Sequence, residues 1–229
     1  MKSRKFFCVV ILAALCSSLL MAQSPRDGVK NTIKQWGQCR SIAFTRYVGN
    51  VAVAGRNMAA WANIPDSLAR QLLSSANRND GPYISDIQLT EAGQWVIVGD
   101  QIITNVILPG LDNEIKRLAS QRERIISVTL NDYGRWIILT DKSYSTSDTD
   151  TANWLRNNGS RLGALRVACL TFDNSLVAIF EKGTVYQGNL PQGLAEAINN
   201  TNLTISVLKI APDGVWFFAD DSGSYQGWY

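Results

Sequence analysis

Residues 127–141 read Ser-Val-Thr-Leu-Asn-Asp-Tyr-Gly-Arg-Trp-Ile-Ile-Leu-Thr-Asp, and the grammar of that stretch decides the fold. Val128 and Leu130 alternate with polar neighbours, which marks a half-buried strand because side chains two apart share a face. Asn131-Asp132-Tyr133-Gly134 is a tight turn, built from residues that reach positive φ cheaply or bond their own backbone. Trp136 to Leu139 is apolar throughout, as a strand covered on both faces should be. The phrase recurs at Ser85–Asp100, with Trp95 standing 41 residues before Trp136, and at Val207–Asp221 around Asp213-Gly214 and Trp216. Weaker copies lie at Ile42–Arg56 and Leu170–Lys182. The apolar pairs Ile42/Phe44, Ile87/Leu89, Val128/Leu130, Leu170/Phe172 and Leu208/Ile210 mark all five, at intervals of 45, 41, 42 and 38 residues. Self-similarity at such a period is the signature of a repeat architecture.

A third, weaker strand is expected at Gln101–Val106, Ser143–Ser147, Thr184–Asn189 and Ser222–Trp228. Helices close most units: Leu68, Leu72 and Ala76 recur at helical spacing, as do Leu111, Ile115 and Leu118, and Leu194 with Ile198. Pro65, Pro109 and Pro191 stand near their starts, where a missing N–H costs nothing. The helix at Asp150–Asn157 is expected to use Asp150 or Thr151 as its cap. Pro25 to Gln38 reads as one more such helix, with Val29, Ile33 and Trp36 as its stripe. Five helices thus serve five three-stranded units, and the first helix is left over to complete the last unit. The expected fold is an α+β repeat, a closed five-fold ring of helix–strand–strand–strand units. A five-bladed β-propeller with decorating helices is the alternative.

That cyclic order resembles the five-fold α/β-propeller shared by the ribosome anti-association factors and the guanidine-modifying enzymes. The phrase Gly183-Thr184-Val185-Tyr186-Gln187-Gly188-Asn189-Leu190-Pro191-Gln192-Gly193-Leu194, with the Gly-x-Trp strands, also resembles repeats of secreted bacterial proteins to which no activity attaches. The resemblances imply a layout and export, and no chemistry. The guanidine-modifying enzymes pair a nucleophilic Cys with a His, and this chain has no histidine.

Lys2, Arg4 and Lys5, followed by the apolar run Phe6–Leu20 and a small residue at Ala22, read as a secretory signal over residues 1–22. Residues 23–229 are then a single repeat domain of five units. The formal charge of +3 belongs to the leader: without its three bases, 19 basic residues face 19 acidic ones. A neutral mature chain gives no field to attract nucleic acid or an anionic membrane. No later segment reaches membrane-spanning length. The expected location is outside the cell, in the periplasm or in the cell envelope.

Without histidine, the usual zinc sites, Ser–His–Asp triads and Cys–His pairs are excluded. Cys39 and Cys169 remain after the leader; they read as buried inert thiols, with a bridge between them as the alternative. Gly159 and Gly163 match no dinucleotide or phosphate loop, and Ser147–Asp150 lacks the Gly and distal Glu of a calcium loop. No cofactor is expected. Asp100, Asp141, Glu181 and Asp220 (or Asp221) each follow the second strand of a unit. In a ring such equivalents would face a common space, where repulsion raises pKa values or recruits a cation. They are the candidate binding residues, and a carboxylate-based hydrolase is the catalytic route they leave open. Arg56 takes this position in unit one. Trp95, Trp136 and Trp216 are expected to pack between units, whereas Trp61, Trp154 and Trp228 fall outside that register and could stack on a sugar, with the core face of its own helix as the alternative for Trp154. Sequons stand at Asn158, Asn199 and Asn202. The residues favour an exported, non-catalytic binding domain for a glycan, a divalent cation or another partner; a structural envelope role is the remaining alternative.

Overall fold

The computed structural model describes residues 24–56, 58–76 and 82–228; the expected leader lies outside that range. The first helix, α1 (Pro25–Trp36), is capped by the Ser24 hydroxyl on the Asp27 N–H and ends at Gly37, whose positive φ suits a helix terminus. Strands β1 (Ser41–Phe44), β2 (Asn50–Val53) and β3 (Ala59–Ala62) follow, then α2 (Asp66–Ala76). Unit two holds β4 (Ile84–Leu89), β5 (Trp95–Gly99) and β6 (Ile103–Thr104) before α3 (Pro109–Ser120). In unit three, β7 (Ile125–Leu130), β8 (Trp136–Thr140) and β9 (Tyr144–Thr146) precede α4 (Thr149–Leu162). Unit four has β10 (Leu165–Leu170), β11 (Leu176–Phe180), β12 (Gly183–Gln187) and then α5 (Leu194–Asn200). Strands β13 (Val207–Ile210), β14 (Trp216–Ala219) and β15 (Tyr225–Trp228) form unit five.

Each unit is an antiparallel meander, so the described residues make five separate three-stranded sheets, and none of these closes on itself. The second strands are buried along their length, as their unbroken apolar runs require. Register identifies the equivalent positions: Phe44 opposes Asn50, Leu89 Trp95, Leu130 Trp136, Leu170 Leu176 and Ile210 Trp216. This corrects the sequence pairing in unit four, where Ala168 and Leu170 replace Leu170 and Phe172. Phe172 stands in the turn and is exposed. Ala168 falls 40 residues after Val128 and 40 before Leu208, which evens the repeat.

The helices are part of the core. Five apolar clusters form, and each places one helix between two sheets. Leu68 and Leu72 of α2 lie with Val51 and Val53 of sheet one and with Ile87, Trp95 and Ile97 of sheet two. Leu111 and Leu118 of α3 bridge sheets two and three, Leu155 of α4 bridges three and four, and Leu194 of α5 bridges four and five. Val29 and Ile33 of α1 lie among Ile42, Phe44 and Ala52 of sheet one and Phe217 and Ala219 of sheet five. The first strands touch in succession, β1 with β4, β4 with β7, β7 with β10, β10 with β13, and β13 with β1. The architecture is a propeller-like repeat of stacked sheets.

Some local expectations shift. Strand β6 covers two residues of the six expected, and α4 starts at Thr149 with Asp148 as its cap. No helix among the described residues is long and apolar enough to cross a membrane.

Candidate functional site

At the C-terminal ends of the first strands, five equivalent residues stand at the entrances to five turns: Thr45, Thr90, Asn131, Thr171 and Ala211. Each donates its N–H to the carbonyl four residues on, at 2.8–3.1 Å. In units two to five the turn needs a left-handed residue, supplied by Gly93, Gly134, Asn174 and Gly214. These strand ends enclose a cavity of about 50 Å³ lined from all five units. Phe44, Leu89, Leu130, Leu170 and Ile210 contribute apolar walls, and Phe172 and Pro212 reach its mouth.

A polar network crosses below it. Asp86, 1% exposed on β4, meets the Lys209 ammonium of β13 at 2.7 Å. Lys209 also donates to Gln88 Oε1 at 3.3 Å, and the Ser41 hydroxyl donates to Asp86 at 2.7 Å. Gln88 Nε2 donates to the Leu130 carbonyl, and the Leu170 N–H donates to Thr129 Oγ1. All five first strands are thereby linked. A buried charge survives only when paired and hydrogen-bonded, and Asp86 is both. Sequence reasoning missed this pair. Its signal was a charged residue at a non-pair position of two first strands, which strand alternation assigns to water.

The turns also bond to one another around the mouth. Asp132 accepts the N–H groups of Glu91 and Ala92 at 3.1 and 2.7 Å, and Glu91 accepts those of Arg46 and Tyr47 at 2.5 and 3.1 Å. Arg46 donates to the Pro212 carbonyl, Arg26 pairs with Asp213, and Asn131 Nδ2 donates to Asn174 Oδ1 at 2.7 Å. These bonds fix the rim and leave aromatic side chains on it in water. Tyr47 is 81% exposed, Tyr133 65% and Phe172 39%, and the Tyr133 and Phe172 rings lie 6.4 Å apart.

The four acids chosen from the sequence lie at the other ends of the hairpins. Asp100 accepts the Tyr83 N–H at 2.9 Å and pairs with Arg56 at 3.1 Å. Asp141 accepts the Arg124 N–H at 3.0 Å, and Glu181 that of Ala164 at 3.3 Å. In these three the acid's own N–H donates to the same partner's carbonyl, closing the hairpin on both sides. Asp220 instead takes the Ser222 and Ser224 N–H groups of its own turn. Burial works to raise the Asp220 carboxyl, but hydrogen bonds from Ser222, Ser224 and Gly223 outweigh it and hold the group below its ordinary range. No bond joins any two of the four, and none lines the five-strand cavity. Asp100 borders a separate groove of about 340 Å³ with Ile115, Glu123 and Arg124. Among the described residues no three His, Cys, Asp or Glu side chains form a group able to hold a metal ion.

Cys39 and Cys169 are both free and buried, without the alternative bridge. Burial pushes the Cys39 thiol up to about 12 and that of Cys169 to about 11, the latter despite the nearby Lys209 ammonium. Trp95, Trp136 and Trp216 are buried between units, as their register predicts, with the Trp95 indole donating to Ser67 and that of Trp216 to the Gln192 carbonyl. Trp61, a candidate stacking face, packs half-buried on the cluster beside α2, and Trp154 takes the core face of α4, the alternative to stacking. Among the described residues the exposed aromatics are Tyr47, Tyr133 and Phe172 on the turns, and Tyr186 on β12.

No family model matches the chain, and no curated protein matches it. Among solved structures, virginiamycin B lyase from Staphylococcus aureus is 12% identical, with a TM-score of 0.31 over 86% of this chain and 71% of that one. A streptogramin B lyase is 9% identical, with a TM-score of 0.31 over 84% and 68% of the two chains. YCF48 bound to D1 peptide is 13% identical, with a TM-score of 0.30 over 82% and 66%.

Proposed function

We propose that this chain is an exported, non-catalytic binding domain whose five units close into a ring and whose ligand seats on the turns around the ring's axis. The observation that carries the reading is the cavity to which all five first strands contribute, bordered by exposed aromatics on three of the five turns. Exposed rings gathered around one opening form the kind of apolar patch that marks a binding surface. Closure is supported by α1, whose Val29 and Ile33 fill between sheets five and one the place that α2 to α5 fill elsewhere. Export rests on the leader sequence at residues 1–22, and the domain on residues 23–229. N-terminal sequencing of protein recovered from its native host tests export: a mature start near Gln23 is expected, and full-length protein in the cytosol refutes it.

The binding face is tested by a thermal-shift screen of oligosaccharides, peptides and divalent ions against the parent and the variant Tyr133→Ala with Phe172→Ala. Both side chains are exposed, so the variant should keep the parent's melting temperature. A ligand of the turn face stabilises the parent and loses its effect on the variant. A ligand that stabilises both alike, and is lost instead in Asp141→Asn, places binding at the acids and removes the turn-face reading.

A further inference from the structure

We propose that the partner of the turn face is a protein chain offering a basic segment with one aliphatic side chain at its centre, which rests on the turn face being the binding surface. Size argues first. An apolar cavity of about 150 Å³ admits a benzene ring, whereas this one holds about 50 Å³. It takes the tip of a side chain, not a sugar ring. Phe44, Leu89, Leu130, Leu170 and Ile210 give its walls hydrocarbon, while Gln88 and Lys209, which also line it, are bonded to each other, to the Leu130 carbonyl and to Asp86.

The polar side chains beside them are already committed to the turns. Thr45 Oγ1 donates to the Gly49 carbonyl and accepts the Val48 and Gly49 N–H groups; Thr90 Oγ1 accepts from the Gln94 N–H. Asn131 donates to Asn174 and accepts from the Tyr133 and Arg135 N–H groups. Thr171 donates to Asp173 and to the Ser175 carbonyl. A glycan, which needs free donors and acceptors for its hydroxyls, would find few there.

Charge then selects among peptides. The turns carry Glu91, Asp132, Asp173 and Asp213 against Arg46 and Arg135. Arg26 is taken up by Asp213, and Arg135 by Asp148. With Asp213 neutralised by Arg26, Glu91, Asp132 and Asp173 remain against Arg46, an acidic surplus of two charges carried on three turns. The Arg46 guanidinium already lies 5.8 Å from the centre of the Tyr47 ring, so the faces of Tyr133 and Phe172 are the ones that add attraction for a lysine or arginine, because an aromatic face is electron-rich. A basic segment is steered to such a surface, and its one aliphatic residue enters the cavity.

The test pans a display library of short random peptides, and in parallel an oligosaccharide array, over the parent and the variant Tyr133→Ala with Phe172→Ala. The expected result is a peptide consensus with one aliphatic residue flanked by lysine or arginine. It should be enriched about tenfold or more on the parent, a difference of about 1.4 kcal/mol, and weakened by salt. An acidic or uncharged consensus overturns the proposal. Oligosaccharides retained by the parent and lost by the variant, with no peptide enriched, overturn the partner class and leave the turn-face reading standing. Retention of neither class by the parent sinks both.

Discussion

At 1% exposure, Asp86 has the Lys209 ammonium, the Ser41 hydroxyl and the Ile87 N–H all directed at one of its oxygens. Removing one partner of such a pair leaves a buried charge uncompensated, which costs about 3–5 kcal/mol. Lys209→Met should therefore lower the denaturant midpoint steeply, and adding Asp86→Leu should recover most of the loss. Equal losses in the single and double variants would show that the pair contributes nothing specific. The sequence offered no route to this pair, because the partners stand 123 residues apart (209 − 86) and strand alternation assigns both to solvent. The tryptophans were legible for the opposite reason, since each opens an apolar run just after a turn. Trp136, 8% exposed, should cost about 3–5 kcal/mol on truncation to Ala, and half-buried Trp154 less. The thiols, pushed up to about 12 and about 11, should not react with a thiol reagent at neutral pH until the protein is unfolded.

The elements followed their patterns where the pattern was local. Turn chemistry, helical spacing and the position of Pro25 and Pro109 were sufficient for the helix and hairpin order. They failed where a neighbour decided the outcome. Ala168 is a weak apolar signal and Phe172 a strong one, so the pair in unit four was read two residues late; Phe172 leaves the strand to join the exposed rim. The cap of α4 moved for a similar reason. Asp148 accepts the Thr151 N–H at 2.7 Å and also meets Arg135 from the preceding hairpin, which no local rule anticipates. Burial raises the Asp148 carboxyl, but the Thr151 bonds and Arg135 outweigh it, so its folded pKa lies below its ordinary 3.8. A depressed folded pKa contributes stability above the unfolded value and loses it as pH falls through the folded one. Asp148→Ala should cost about 1 kcal/mol at neutral pH and less at pH 3. Asp148→Asn, which keeps a capping oxygen, should flatten that part of the profile, as urea melts at the two pH values would show.

At the scale of the molecule, the count of helices against strands led to α1 packing beside sheet five, and it does, with the Cys39 N–H on the Gly223 carbonyl at 2.8 Å and Arg40 on the Asp220 carbonyl at 3.0 Å. What the count could not supply was where the candidate acids point. That depends on the hairpin ends, and three of the four turn back onto their own backbone. The proposed ring carries its own test. In an open array each repeat meets only its neighbours, so the end units lose one interface and fray first. In a ring every unit has two interfaces, and the clusters built on Ile33, Leu68, Leu118, Leu155 and Leu194, all fully buried, should be of similar weight. Ile33→Ala should then cost about 2–5 kcal/mol, comparable with Leu68→Ala at the next interface. Native-state hydrogen exchange should protect the amides of β2 and β14 as well as those of β8, because all three are second strands buried between two neighbours. An open array predicts the reverse order: fast exchange in β2 and β14, slow exchange in β8, and an Ile33→Ala variant whose loss is confined to α1 and sheet one. That pattern would end the ring.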